Sequence, residues 1–570
     1  MGSFTPSEWD PVYKNCCEGL QPGGWIKQLE ENPRVHYDDG SVPDNKCAWV
    51  LEDEACKAAD NWGRPITVAD TMKSSLEKAG FVDVHAKTYK WPIGAWIKDP
   101  VLKEAGNLHY HQWASEPGGG VWAPTLRYHK GVFYVAAASF SRYRPQEDDR
   151  VWPQGFYVKT TNIWDDATWS NPVYFDQVGF DQDLFWDDDG TVYLSSTYRK
   201  LERTPNANIK DFAVHVCTVD LDTGHSTSEP RLIRESVSGV AEGSHIFKRG
   251  RYYYLFTAEG GTESGHCEWV SRSADGPFGP WELGPNNPLW LNGVEDEVQN
   301  TGHADLVEDA GGQWWAVLLG VRPVQRGDKW EESVLGRETF LVPVNWENDW
   351  PVIDGGKISL QMTGPGLYHQ TKAVSWKDDF SQPELKIGWY RKNTPLTTDY
   401  SLTERPNHLR LHGGPYNLSV PACPTLFLRK QIHRFCTWET KLSFQPDSEH
   451  IEAGTVLWWN YFTYTSLGIR RINGTNRILR LRQSDGNTSD YELSLATDVI
   501  LVIECGDQYR FGYCESTDSE INWIGTVDNL TAAQAPPVGA PFTGMMLGLY
   551  AFGERQRSMT PADFSYAEFK

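Results

Sequence analysis

One hydrophobic pattern recurs four times in the middle of the chain, where a polar or glycine-containing turn precedes a strand rich in aromatic residues. Equivalent aromatic positions follow one another at intervals of 59, 61 and 61 residues; they are Tyr134, Tyr193, Tyr254 and Trp315. Each interval contains several short strand-like runs separated by turn-forming residues. A repeat of about 60 residues with about four strands has the size of a β-propeller blade, and a chance series of hairpins in an ordinary β domain is the alternative. The pattern predicts four blade-like units between residues 108 and 365.

The chain on either side of this repeat follows different patterns. Residues 1–107 contain apolar positions at helical spacing and a glycine placed to end the helix: Val68, Met72, Leu76, Ala79 and Gly80. An alternating run at residues 82–87 then predicts a strand, so this segment is expected to be a small α/β fragment. Residues 376–570 contain strand-like runs between polar turns without the repeat, which predicts a β-sandwich. The chain as a whole is predicted to be mainly β.

The composition is that of a large protein with a packed core. The chain has 570 residues, of which 39% are hydrophobic and 23% are charged, so two or more domains are expected. A formal net charge of −23 and the lack of any lysine- or arginine-rich run argue against nucleic acid or an anionic membrane as a partner. Most of the 26 Trp, 25 Tyr and 23 Phe residues are expected to pack a β core, and a few to stack on sugar rings.

The sequence also predicts a compartment. No stretch approaches the 18 or more apolar residues, roughly, of a membrane span, and residues 1–14 lack the apolar segment of a secretory signal. The 10 cysteines include neither a C-x-x-C pair nor zinc-finger spacing. The chain is therefore expected to stay in the cytoplasm with reduced thiols.

Carboxyl groups beside the repeat strands are the first candidates for chemistry, because a propeller brings the inner ends of its blades together around a channel. Glu242 lies among small, weakly polar residues just before the third repeat strand, a setting that raises a carboxyl pKa; a solvated turn glutamate is the alternative. Asp181 and Asp183 flank Gln182 within an apolar strand and share one face of it, so the residues alone leave open which one reaches the channel. His303 precedes the fourth repeat strand and is either a buried structural histidine or a channel ligand.

Several strings in these positions resemble glycoside hydrolase family 43, and its β-xylosidase branch in particular. They are GVWAPTLRYH at 120–129, FDQDLFWDDDG at 180–190, EGSH at 242–245, LFTAEGGT at 255–262 and GHADLVED at 302–309. The C-terminal part resembles the concanavalin-like sandwich of that branch through DDF at 378–380, DYSLTERP at 399–406 and LRLHG at 409–413. The resemblance spans residues 108–570 and implies a five-bladed propeller followed by a sandwich.

The resemblance implies roles for individual residues. Glu242 matches the general acid of an inverting glycosidase, and Asp181 matches the aspartate that orients this acid and tunes its pKa. This selects Asp181 over Asp183, although Gln182-Asp183 stands where the family has Pro-Ser. His303 matches the channel histidine, which binds a calcium ion or water; no other cofactor is implied.

Two further residues match the sugar-binding positions of the family. Trp122 resembles the aromatic wall of the sugar subsite, and Arg337 resembles the arginine that reaches the bound sugar. The implied partner is an oligosaccharide derived from xylan or arabinoxylan, and the implied activity is that of a β-xylosidase or an α-L-arabinofuranosidase. The choice between xylose and arabinose stays open.

The N-terminal part departs from the family. Family members begin with a first blade whose Asp-Pro motif carries the general base, and no such blade precedes Trp122. Asp99-Pro100 lies instead in a string that resembles the C-terminal half of a fungal class I methyltransferase, and the glycine-rich loop for S-adenosylmethionine is absent. The propeller is thus predicted to lack its first blade, and the general base is not found. A sugar-binding protein without turnover and a methyltransferase are the alternatives to an active glycosidase.

Overall fold

The computed structural model divides the chain into two compact units, Met1–Trp91 and Pro92–Lys570. The structure describes residues 6–19, 69–82, 84, 120–140, 152–200, 210–327, 329–331, 333–362, 364, 375–393, 398–474, 476–493, 498–529 and 543–570. The described residues are mainly in β-strands, as predicted. None of the described helices is both long and apolar enough to cross a membrane.

The N-terminal unit contains two described helices, α1 (Pro6–Gly19) and α2 (Ala69–Lys78). Helix α2 ends at Lys78, and Gly80 follows it with a φ of 102°, which glycine adopts without steric cost. The N–H of Gly80 donates to the carbonyl of Glu77, and the N–H of Phe81 donates to the carbonyl of Leu76, both at 3.2 Å. This pair of bonds satisfies the last carbonyls of the helix, so the predicted helix and its terminating glycine are confirmed.

The prediction of a strand at residues 82–87 is wrong at Val82 and Val84, the two residues of this run that the structure describes. Val82 and Val84 belong to no strand, and Val82 is 87% exposed. An alternating run forms a strand only where a neighbouring strand accepts its hydrogen bonds, and no described strand pairs with it. Val68, residue 83 and residues 85–87 lie outside the described residues.

Four antiparallel sheets follow one another along the second unit. Each one contains four strands that pair in chain order, and the third has an additional short strand. Sheet 1 consists of β1 (Gly120–His129), β2 (Val132–Phe140), β3 (Gln154–Thr160) and β4 (Val173–Val178). Sheet 2 consists of β5 (Phe180–Trp186), β6 (Val192–Arg199), β7 (Phe212–Thr218) and β8 (Arg231–Glu235).

The third and fourth sheets have the same order. Sheet 3 consists of β9 (Ala241–Arg249), β10 (Tyr252–Glu259), β11 (Cys267–Ser273) and β12 (Glu282–Leu283), with β13 (Trp290–Leu291) pairing β11. Sheet 4 consists of β14 (Gln299–Glu308), β15 (Trp314–Val321), β18 (Glu338–Glu347) and β19 (Trp350–Val352). A separate hairpin of β16 (Val324–Arg326) and β17 (Lys329–Glu331) lies between β15 and β18.

The sequence repeat corresponds to these sheets, one copy to each. Tyr134, Tyr193, Tyr254 and Trp315 all lie in the second strand of their sheet. The first strand of each sheet contacts the first strand of the next sheet, so β1, β5, β9 and β14 lie side by side in chain order. Residues at the same position in these four first strands therefore lie near one another.

The C-terminal part contains two antiparallel sheets. The eight-stranded sheet has the order β21-β22-β33-β24-β29-β30-β31 with β20 pairing β33, and the six-stranded sheet has the order β23-β32-β25-β26-β27-β28. Their strands are β20 (Trp376–Asp378), β21 (Tyr400–Ser401), β22 (Leu409–Leu411), β23 (Thr425–Lys430), β24 (Cys436–Ser443), β25 (Ile451–Asn460), β26 (Thr463–Ile472), β27 (Asn476–Gln483), β28 (Thr488–Glu492), β29 (Asp498–Cys505), β30 (Gln508–Cys514), β31 (Asn522–Asp528), β32 (Met546–Gly553) and β33 (Ala562–Phe569).

One apolar cluster joins these two sheets into a sandwich. Trp438 and Leu501 of the eight-stranded sheet pack in the same cluster as Phe427, Leu457 and Leu547 of the six-stranded sheet, and all five are almost completely buried. Burial of such side chains is the main favourable term in folding. The sandwich thus has a core of its own, which is separate from the apolar clusters of the four sheets.

Phe427→Ala is expected to lower the free energy of unfolding by about 3–5 kcal/mol, because it leaves a cavity in this core. The matched control is Phe435→Ala, since Phe435 is 66% exposed, and it should change stability by no more than about 0.5 kcal/mol. Urea denaturation followed by tryptophan fluorescence measures both variants. Equal losses for the two variants would contradict the assignment of this core.

Candidate active site

The first strand of each sheet carries an irregularity at an equivalent place. Ala123 in β1, Asp181 in β5, Gly243 in β9 and His303 in β14 have φ values of 40°, 55°, 57° and 57°. At each of them the register with the second strand shifts, as it does at a β-bulge. A bulge redirects the side chains around it, so the four strands present their polar residues towards one another at this level.

Just beyond these bulges, one charged network connects all four sheets. Arg127 in β1 places its Nε 2.8 Å from an oxygen of Asp183 in β5 and its Nη2 3.1 Å from Nδ1 of His245 in β9. Its Nη1 is paired with the carboxylate of Asp305 in β14. The Asp183 carboxylate also accepts the backbone N–H of Ile246 at 3.2 Å. One guanidinium therefore joins the first sheet to the other three.

The opposite charges in this network stabilise the ionised forms of Arg127 and His245. Burial alone would disfavour the charged form of Arg127, but Asp183 and Asp305 raise its pKa above the ordinary value. Burial likewise acts against protonated His245, and the same two aspartates outweigh it and raise the pKa of the imidazole. Because Asp183 is only 1% exposed, removing its cation would leave a buried carboxylate without compensation.

Glu242 lies in β9 one residue before the bulge at Gly243, and its side chain is partly buried. Burial and the neighbouring Asp181 raise the pKa of Glu242 to about 8, while Lys210 and Arg337 act in the opposite direction. The carboxyl group is therefore mainly protonated at neutral pH. A protonated carboxyl group that still reaches solvent is suited to donate a proton.

Asp181 contacts the backbone next to this acid. Its Oδ2 accepts the backbone N–H of Gly243 at 2.9 Å, and the residue is buried. Gly243 is in turn covered by the ring of His303, since a Cβ at position 243 would lie 2.7 Å from Cδ2 of that ring. The positive φ and this close contact together require glycine after Glu242. The structure thus separates two aspartates that strand alternation alone left equivalent: Asp181 contacts the acid's strand at the bulge, and Asp183 belongs to the charged network.

The His303 ring lies 5.5 Å from the ring of His245, centroid to centroid. Burial lowers the pKa of His303, although Asp181 acts in the opposite direction, so the imidazole is neutral. Within the described residues, no group of three or more His, Cys, Asp or Glu side chains could hold a metal ion. Calcium requires several oxygen ligands, so the described residues do not fit a calcium ion held by the protein alone.

A buried glutamate supports the bulge at His303 from the third strand of sheet 3. Oε2 of Glu268 in β11 accepts the backbone N–H of Ala304 at 3.0 Å, and its side chain is completely buried. Burial raises the pKa of Glu268 well above the ordinary value, while the N–H groups of Ala304 and His303 act against this rise. Glu268 therefore holds the backbone that presents His303.

The two predicted sugar-binding residues lie in different parts of the second unit, Trp122 in strand β1 and Arg337 in the bend before β18. Arg337, just before β18, donates from Nη1 to the hydroxyl of Thr262 at 3.0 Å, and its charge acts on the pKa of Glu242. Trp122 in β1 packs edge-on against Phe140 and Phe180, with ring centroids 5.0 and 6.0 Å away. The structure thus places the Arg337 guanidinium close enough to Glu242 to affect its ionisation, and it places Trp122 at the bulge of the first strand. Asp99 and Pro100 lie outside the described residues.

Sequence reasoning missed four residues of this site. Arg127, His245 and Asp305 all lie inside the strings that carry the family resemblance, and Glu268 lies outside them. For Arg127 the available signal was a single charged residue in strand β1, which is costly to bury and therefore usually has a partner. That signal does not identify the partner, since Arg127 and Asp305 are 178 residues apart.

Two protein-family models and several curated relatives match this chain. The model of glycosyl hydrolases family 43 matches residues 99–351, and that of the β-xylosidase C-terminal concanavalin A-like domain matches residues 377–570. A non-reducing end α-L-arabinofuranosidase of Bacteroides ovatus is 34% identical over 463 residues, which cover 79% of this chain and 82% of the relative. A xylan 1,3-β-xylosidase of a Vibrio species is 30% identical over 481 residues, which cover 79% of this chain and 86% of the relative.

Solved structures show the same similarity. The crystal structure of a xylan β-1,4-xylosidase from Bacillus halodurans is 28% identical and superimposes with a TM-score of 0.70, covering 79% of this chain and 87% of that one. The protein is thus a glycosidase, an enzyme that hydrolyses O-glycosyl compounds. The chain belongs to glycoside hydrolase family 43 and ends in the concanavalin-like domain of its β-xylosidases. The predicted resemblance to the family and to its C-terminal concanavalin-like domain is confirmed.

Arg127→Met is expected to lower the free energy of unfolding by about 3–5 kcal/mol, because the buried Asp183 loses its cation. The matched control is Arg510→Met, which removes an ion pair with Glu504 in which both side chains are 41% exposed; its effect should be at most about 1 kcal/mol. Chemical denaturation compares the two variants. A loss for Arg127→Met no larger than that of the control would show that the network does not hold the sheets.

Proposed function

We propose that this chain hydrolyses xylose- or arabinose-terminated oligosaccharides derived from xylan or arabinoxylan, as a β-xylosidase or an α-L-arabinofuranosidase, with Glu242 as the general acid. The observation that carries the assignment is the position of Glu242 next to Gly243, whose N–H is bound by the buried Asp181, at the level where the first strands of four sheets each carry a bulge. The raised pKa of Glu242 supports it. The printed activities of the relatives supply the substrate class, since they include an arabinofuranosidase and xylosidases.

The proposed roles follow from the surroundings of each side chain. Glu242 transfers its proton to the glycosidic oxygen as the bond to the sugar breaks, and Asp181 keeps that proton in place at neutral pH. Arg337 binds a hydroxyl group of the sugar, and Trp122 offers an aromatic face to the ring. His303 orients water or substrate as a neutral imidazole. No step passes through calcium.

The four sheets are proposed to be the last four blades of a five-bladed propeller. The side-by-side first strands and the shared position of their bulges support this architecture. We assign no residue to the general base, since Asp183 and Asp305 are both bound to Arg127 and Asp99 lies outside the described residues. The reaction is proposed to invert the anomeric centre, which requires water between the acid and the base. Residues 1–107 are proposed to derive from the C-terminal half of a fungal class I methyltransferase, on the strength of the sequence strings that they share with it.

Glu242→Gln is expected to lower kcat/KM on an aryl β-xyloside or an aryl α-L-arabinofuranoside by about 10²–10⁴-fold, since it removes the proton donor. In the wild type the activity should be lost as the pH rises through about 8, because the reaction needs the protonated acid. The matched control is Glu229→Gln, an exposed glutamate in the segment before β8, which should leave kcat/KM unchanged.

Two outcomes would contradict the proposal. If the wild type hydrolyses a substrate and Glu242→Gln does so equally well, Glu242 is not the acid. If the folded wild type binds xylose- or arabinose-containing oligosaccharides and never cleaves them, the chain is a sugar-binding protein instead.

A further inference from the structure

The segment that carries Arg337 is a short turn between β17 and β18. The N–H of Gly336 donates to the carbonyl of Ser333, and the N–H of Leu335 donates to the Ser333 hydroxyl, both at 3.2 Å. Gly336 has a φ of 64°, which a larger residue would adopt only with strain. The turn fixes the direction in which the chain approaches Arg337.

The C-terminal sandwich holds this turn through apolar and backbone contacts. Val334 and Leu335 are 3% and 4% exposed and belong to the apolar cluster that forms the core of the sandwich. The N–H of Met545 donates to the carbonyl of Val334 at 2.8 Å. Gly544 approaches so closely that a Cβ there would lie 2.1 Å from the carbonyl oxygen of Leu335. The turn is therefore packed as part of the sandwich core, although it leads into sheet 4.

Lys430 adds a charged contact at Arg337 itself. This lysine ends β23 of the six-stranded sheet, and its Nζ donates to the backbone carbonyl of Arg337 at 2.9 Å. Burial lowers the pKa of Lys430, and Glu338 acts against this effect. A hydrogen bond from an ammonium group to a carbonyl is stronger than one between neutral groups.

The other end of Arg337 is held by sheet 3. Its Nη1 donates to the hydroxyl of Thr262, which follows β10. The guanidinium is near enough to Glu242 to lower the pKa of that acid. The backbone of Arg337 is thus held by the sandwich, and its side chain by the sheet that carries the acid.

We propose that the sandwich is a structural part of the active site, and that Lys430 is a positioning residue which holds Arg337 for sugar binding. This inference rests on the proposed role of Arg337. Lys430 does not contact the substrate; it acts through the backbone of Arg337. The affinity for the sugar then depends on a residue of a different domain.

The test measures the affinity of the full chain for xylose and for arabinose by calorimetry, because these monosaccharides have no glycosidic bond to cleave and the result does not depend on turnover. Lys430→Met is expected to weaken binding about tenfold, within the range of coupling between contacting residues. In an Arg337→Ala background the same substitution should have no further effect. Lys430→Arg, which keeps the cationic donor, should restore most of the affinity, and Lys377→Met, a half-exposed lysine of the sandwich, should leave it unchanged. If Lys430→Met does not fold, Lys430→Gln is measured in its place.

The outcomes separate the two hypotheses. If Arg337→Ala weakens binding and Lys430→Met does not, or if Lys430→Met weakens binding equally with and without the Arg337 side chain, the positioning role is wrong and the proposed function stands. If Arg337→Ala leaves the affinity for both sugars unchanged, or if the wild type binds neither sugar, the proposed function of Arg337 fails and this inference fails with it.

Discussion

The ion pairs of Arg127 are the interaction on which the four-sheet part of the structure depends. Four sheets that meet at their first strands bury polar side chains such as Asp183 and His245, and a buried charge needs a partner. Arg127 supplies one cation to the carboxylates of Asp183 and Asp305, and its third contact is His245. Because each partner comes from a different sheet, a small displacement of one sheet would break the network. The network therefore sets the relative positions of the strands that carry the site.

The chemistry of the site follows from this convergence. Each of the four strands has a bulge at the same level, and the positive φ values at the non-glycine residues Ala123, Asp181 and His303 are the cost of that arrangement. The same bulges place Asp181 against the backbone next to Glu242 and the His303 ring over Gly243. A carboxyl group that is partly buried next to another carboxylate keeps its proton, so the general acid is a consequence of how the strands pack.

Part of this account could be predicted from the sequence, and the physical reasons for success and failure differ. The aromatic repeat was readable because each copy combines a turn with a strand, and the candidates Glu242, Asp181 and His303 were found because they stand at one place in that repeat. Strand alternation put Asp181 and Asp183 on one face, and it failed to separate them because the bulge at Asp181 interrupts the alternation. The pairing of Arg127 with Asp305 and the contact of Lys430 with Arg337 join residues far apart in the chain, which a local pattern does not reveal.

The most direct test of this account is the ionisation of the Glu242 carboxyl group. Difference infrared spectroscopy of the wild type against Glu242→Gln, recorded across a pH series, follows the carboxyl band of this one residue. We expect a pKa of about 8 for Glu242 in the wild type and a lower pKa in Asp181→Asn, because that substitution removes the neighbouring negative charge. A wild-type carboxyl group that ionises in the ordinary range of an exposed glutamate, or one whose pKa does not respond to Asp181→Asn, would contradict it.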